Sequence, residues 1–145
     1  MPTALIAEDE HILRDHLRQR LAEAWPELAI VGEAEDGEQA LELFEQLRPD
    51  IVFLDIRMPR LTGLEVAREI GGRARVVFIT AYDEYAVAAF EQGAVDYLLK
   101  PLAPARVAKL VSRLKASVET AQGPAHDSVR AMLAAVNRAL GRDPD

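Results

Sequence analysis

The chain has 145 residues, half of them hydrophobic, with 24 acidic and 17 basic residues and a formal net charge of −7. That length fits one domain with an appendage, and the apolar content excludes broad disorder. The absence of cysteine rules out disulfides and thiolate metal sites. No apolar stretch approaches the ~18 residues that span a bilayer, and Glu8, Asp9 and Glu10 interrupt the first apolar run before it resembles a signal sequence. A cytoplasmic protein with no membrane partner is expected. Residues 1–102 hold 20 acidic and 10 basic side chains, whereas residues 103–145 hold 4 and 7. The main domain therefore repels nucleic acid and draws cations, and the weakly basic remainder reads as a solvated helix face.

Ala4 to Ala7 form the first apolar run, closed by Glu8 and Asp9. Ile12, Leu13, Leu17, Leu21 and Ala24 then recur at helical spacing, with Arg14, Arg18 and Arg20 between them, until Pro26 stops the helix. Leu28 to Ala34 read as a second strand. Asp36-Gly37-Glu38 opens a helix through Leu47 that ends before Pro49. Ile51 to Leu54 form a third strand delivering Asp55, followed by the turn-rich loop Met58-Pro59-Arg60-Leu61-Thr62-Gly63. A short helix from Leu64 to Ile70 is closed by Gly71-Gly72. Val76 to Ile79 form a fourth strand ending at Thr80. A small-residue helix is expected from about Glu84 to Glu91, then a fifth strand from Asp96 to Leu99 that presents Lys100. A long helix follows from Pro104 to about Thr120. Gln122 to Asp127 read as a linker, and residues 127–140 as an amphipathic helix too short to stand alone in water. The alternation predicts an α/β fold, a parallel sheet with helices on both faces.

Buried strands that each end in a polar residue are how open α/β sheets build binding sites. Singly, each such residue has a blander reading: a solvated acidic turn, a turn aspartate, a threonine helix cap, a surface lysine before proline. Their order at successive strand ends carries the argument. Three neighbouring carboxylates need a counter-charge, which Mg2+ supplies as a hard ion that takes carboxylates, waters and phosphate oxygens. Asp9 and Asp55 are the expected direct ligands, with Glu8 acting through water or as a nearby base, and the main-chain carbonyl of Arg57 completing the set. Lys100 balances the remaining charge. A carboxylate so held, open to solvent, can attack phosphorus. Thr80 would hydrogen-bond the resulting aspartyl phosphate, and the small Ala81 leaves room for the donor.

These residues resemble the receiver domain of two-component response regulators over roughly Pro2 to Leu114. The acidic pair matches Glu8-Asp9 (Glu-Asp here rather than Asp-Asp), the phosphoacceptor Asp55, the hydroxyl Thr80, the switch aromatic Tyr97 and the lysine Lys100. The loop Met58 to Gly63 also fits. The resemblance implies a doubly wound, flavodoxin-like, five-stranded parallel sheet of order 2-1-3-4-5, plus here a C-terminal extra helix, and a cis Lys100–Pro101 peptide, which an X–Pro bond permits. It implies a receiver over residues 1–121 and a linker over 122–145. It further implies phosphorylation by a sensor histidine kinase and a phosphorylation-dependent homodimer through the face of the fifth strand and the helices flanking it. Arg57 and Tyr82, at the phosphate mouth, are expected to tune phosphoryl lifetime.

The stretches 80–91 and 94–101 resemble receivers of the LytTR (LytR/AlgR) subgroup, which usually carry a C-terminal DNA-binding domain. Nothing in residues 141–145 matches one, so DNA contact is expected only through a domain not in this chain. The chain is expected to be a switch that assists its own phosphorylation rather than an enzyme. A haloacid-dehalogenase-like phosphatase would need an acid two residues after the nucleophile, where Arg57 stands. A dinucleotide-binding fold would need a glycine-rich turn after the first strand. The complete set of site residues argues against a pseudo-receiver.

Overall fold

Alternate strand residues point to opposite faces of a sheet, and in this chain both faces are apolar, so two helical layers are required to cover them. The computed structural model describes residues 1–81 and 97–119. Within them lie strands β1 (Thr3–Ala7), β2 (Ala29–Ala34), β3 (Ile51–Asp55), β4 (Arg75–Thr80) and β5 (Tyr97–Leu99). The described helices are α1 (His11–Ala24), α2 (Gly37–Leu47), α3 (Gly63–Ile70) and α4 (Pro104–Glu119). The helix expected at 84–91, the linker at 122–127 and the helix at 127–140 fall outside the described residues. No described helix is long and apolar enough to cross a membrane.

All strand pairs are parallel, and the order is β2-β1-β3-β4-β5. Leu5, Val52, Leu54, Val76 and Phe78 pack with Phe44 of α2 and Val66 and Ile70 of α3 on one face. Ile6, Phe53, Val77, Ile79 and Leu98 pack with Leu17 and Leu21 of α1 and Val107, Leu110 and Leu114 of α4 on the other. From β1 the chain turns outward to β2 and then crosses back to β3 on the opposite side. This reversal opens a crevice at the carboxyl ends of β1 and β3, where doubly wound folds bind ligands.

Local chemistry fixes the elements around that crevice. Asp36 caps α2, accepting from the Gln39 amide at 2.8 Å. Thr62 and Glu65 form a reciprocal capping box at the start of α3, with the Glu65 amide donating to Thr62 Oγ1 at 3.2 Å and the Thr62 amide to Glu65 Oε1 at 3.1 Å. Gly71 closes α3 in the left-handed region at φ 57°, the conformation glycine adopts without a Cβ penalty. Removing a threonine cap typically costs about 1 kcal/mol. Thr62→Ala is therefore expected to lower the urea midpoint by that stability with an unchanged slope, measured by equilibrium unfolding.

Candidate functional site: an acidic cluster at the strand ends

The sheet register brings the polar strand ends together. Ala7 lies beside Leu54, so Glu8 follows β1 next to Asp55, the last residue of β3. Asp55 lies beside Ile79, and Thr80 beside Leu99, so Thr80 and Lys100 continue the row. The Lys100 amide donates to the Thr80 carbonyl at 2.8 Å. Glu8, Asp55 and Thr80 are buried, while Asp9 is exposed. Carboxylate oxygens of Glu8, Asp9 and Asp55 all lie within 4.8 Å of one another.

Lys100 Nζ donates to Asp55 Oδ2 at 3.0 Å and reaches Glu8 Oε1 at 3.4 Å. Glu8 Oε2 is nearer, at 3.1 Å, but lies off the line of a hydrogen bond and has no hydrogen-bond partner. Asp55 Oδ1 accepts from the Arg57 amide at 3.3 Å. One ammonium therefore faces three acids. Burial, with Asp55 adding a hydrogen bond and its charge, pushes the Glu8 carboxyl up to about 8 against the pull of Lys100. Burial alone would lower the Lys100 pKa, but Asp55 and then Glu8 more than offset it and hold the ammonium above its ordinary value. The donor set is all oxygen, it carries surplus negative charge, and one buried oxygen, Glu8 Oε2, has an ion-pair neighbour but no hydrogen bond. A hard divalent cation fits it.

The loop after Asp55 is held to the strand end. The Gly63 amide donates to the Ile56 carbonyl at 2.9 Å, and a Cβ at Gly63 would sit 2.2 Å from the Asp55 carbonyl oxygen. Only glycine lets α3 start this close to the end of β3. Arg60 takes φ 73° in this loop and faces Asp36 and Glu38 at 3.6 and 3.5 Å.

Glu8, Asp9, Asp55, Thr80 and Lys100 are thus brought together. Ala81 follows Thr80 at an exposed position, and Arg57 is exposed beside Asp55. The Lys100–Pro101 peptide is cis. Tyr97 is half-buried and packs against the core layer of α2 and α3; it opens β5, three residues before Lys100. Tyr82 lies outside the described residues. Two contributors escaped the sequence reading: the Glu10 amide, which donates to Glu8 Oε1 at 3.3 Å, and Arg14, whose Nη1 donates to the Glu8 carbonyl at 2.9 Å. In the sequence Arg14 reads only as one of three arginines between the apolar positions of the first helix.

Residues 4–112 match the family model described as the response regulator receiver domain. The chain belongs to this family. An uncharacterized response regulatory protein of Vibrio cholerae serotype O1 is 51% identical over 133 residues, covering 90% of this chain and 51% of that protein. The transcriptional regulatory protein BtsR of Escherichia coli K12 is 44% identical over 117 residues, covering 79% and 48%. The chain spans about half the length of these curated relatives. Among solved structures, the REC domain of AraT, a response regulator from Geobacillus stearothermophilus, superposes with a TM-score of 0.73 at 38% identity, covering 83% of this chain and 97% of that one. Receivers are regulatory phosphoacceptor domains, and the sheet order and acidic cluster of this chain are those of a receiver.

The Glu8 shift has a defined sign. In the unfolded chain its pKa is 4.5, against about 8 in the folded, cation-free protein. Between those values the folded state holds a proton the unfolded state has released, so Glu8's contribution to stability falls as pH rises through this window. The cation-free melting temperature is expected to decline from pH 6 to pH 9. Glu8→Gln should flatten that decline, and so should saturating Mg2+. A level profile in the cation-free wild type would contradict the buried-acid reading.

Proposed function

We propose that Asp55 accepts a phosphoryl group from the phosphohistidine of a sensor histidine kinase. The observation that carries this reading is Lys100 Nζ at 3.0 Å from Asp55 Oδ2 within a cluster of three carboxylates at the carboxyl end of the sheet. A carboxylate oxygen of Asp55 forms a bond to phosphorus as the N–P bond to the kinase imidazole breaks, with the electron pair returning to the imidazole. Lys100 first balances the Asp55 charge and then donates to an oxygen of the transferred group as a compact ammonium. Glu8, Asp9, Asp55 and the main-chain carbonyl of Arg57 would hold Mg2+, which neutralises the phosphoryl oxygens during in-line transfer. Burial of Asp55 and Glu8 limits water near the acyl phosphate.

The Thr80 hydroxyl is the donor for the new aspartyl phosphate, and Ala81 leaves the approach open. Movement of Thr80 toward the phosphate would free space into which Tyr97 turns. The half-buried position of Tyr97 against the core supports that coupling to the face of β5 and α4. A bias of only a few kcal/mol between two packings suffices to switch that face, and we read it as the surface of a phosphorylation-dependent homodimer.

We further read residues 1–121 as the receiver and 122–145 as a linker toward an output domain. The curated relatives' greater length supports this division, and the likeness to BtsR, a transcriptional regulatory protein, supports transcriptional output. The motifs at 80–91 and 94–101 favour the LytTR subgroup, in which DNA contact belongs to the output domain. We read the chain as cytoplasmic, as its membership of the receiver family suggests.

Asp55→Asn is expected to reduce acid-labile phosphate incorporation from acetyl phosphate and Mg2+ to background, measured by intact-protein mass; retained incorporation overturns the assignment. Replacing Arg57 and Tyr82 together by Ala should open the phosphate mouth to water and shorten the lifetime of the phosphoprotein. An unaltered decay rate removes both residues from that role.

A further inference from the structure

Arg14 projects from the first turns of α1 with a side chain only 11% exposed. Its one hydrogen bond runs from Nη1 to the Glu8 carbonyl at 2.9 Å. Nε lies 3.4 Å from Glu33 Oε1 without forming a hydrogen bond, and Nη2 lies 3.9 Å from Glu35 Oε1. The guanidinium is therefore braced by charge from the end of β2 while its directed bond goes to the acidic turn. The Glu8 amide donates to the Ala34 carbonyl at 3.0 Å, so Glu8 is pinned on both sides of its α-carbon. The carbonyl that Arg14 holds belongs to the peptide linking Glu8 to Asp9. Its orientation sets where both carboxylates emerge relative to Asp55.

We propose that Arg14 is a positioning residue for the cation site, fixing the Glu8–Asp9 peptide so that both acids are presented beside Asp55. This inference rests on the metal reading given above. Groups that orient ligands from behind typically change metal affinity 10- to 100-fold when removed. An electrostatic role alone would act in the opposite direction, because deleting a nearby positive charge favours cation binding. Arg18 provides an internal control. It shares Glu33, at 2.7 Å, and pairs with Asp15, also at 2.7 Å, and no hydrogen bond or ion pair joins it to the acidic turn.

The test is Mn2+ titration of this chain by calorimetry at fixed pH, together with amide hydrogen exchange of the cation-free protein. Arg14→Ala should bind Mn2+ about tenfold more weakly than wild type, and the Asp9 and Glu10 amides should exchange faster. Arg14→Lys should fall between, because a point-like ammonium lacks the planar fork that puts Nη1 on the Glu8 carbonyl while Nε faces Glu33. Arg18→Ala should keep wild-type affinity and wild-type exchange at these amides. Wild-type or tighter binding by Arg14→Ala, or an equal loss in Arg18→Ala, overturns the proposal. Should Arg14→Ala fail to fold, Arg14→Lys decides, and undiminished affinity with unchanged exchange there overturns it. A wild-type chain that takes up no Mn2+ is a different result, which overturns the metal reading and this inference with it.

Discussion

Three carboxylates face a single ammonium at the carboxyl end of the sheet, and that imbalance governs the rest of the molecule. Lys100 can bond Asp55 at 3.0 Å and reach Glu8 only at 3.4 Å, so it cannot neutralise the cluster. Burial then makes the cation-free site keep a proton on Glu8. Such a site carries an unmet demand for positive charge, which a hard divalent cation would fit. The burial that raises the Glu8 pKa also limits water around the Asp55 carboxylate.

Holding such a cluster requires a rigid frame. Buried strands β1, β3 and β4 lie side by side, and their apolar residues lock register, since a slip of one residue would turn every side chain to the other face. Asp55 and Thr80 end strands whose preceding residues are buried, and Glu8 follows one. The close approach of Gly63 to the Asp55 carbonyl and the capping box at Thr62 tie α3 directly behind the acceptor. Arg14 and the Ala34 carbonyl do the same for the acidic turn. The acids are thus held through their main chain by β2, α1 and α3 and through their side chains by Lys100.

Much of this was legible in the sequence, for identifiable reasons. Apolar runs of three or four residues, each ended by a polar one, announce parallel strands with a site at their carboxyl ends. Capping and turn residues marked the start of α2 at Asp36 and the end of α3 at Gly71 to within a residue. The boundary of α3 shifted only slightly: it starts at Gly63 rather than Leu64, because the Thr62–Glu65 capping box begins it one residue earlier. Arg14 and the Glu10 amide were not legible. An arginine between apolar helix positions reads as a solvated face, and a main-chain contact leaves no mark in residue type.

The sequence by itself determined the strand and helix alternation, the two-faced apolar core and the set of chemical groups at the strand ends, because periodicity and side-chain chemistry are local properties. Tertiary structure alone decided which of those groups meet and in what state. Register placed Glu8 beside Asp55, burial raised the Glu8 pKa, and the approach of α1 to β2 put Arg14 on the Glu8 carbonyl. These depend on distances between segments far apart in the chain, and on the loss of water between them, which no local pattern encodes.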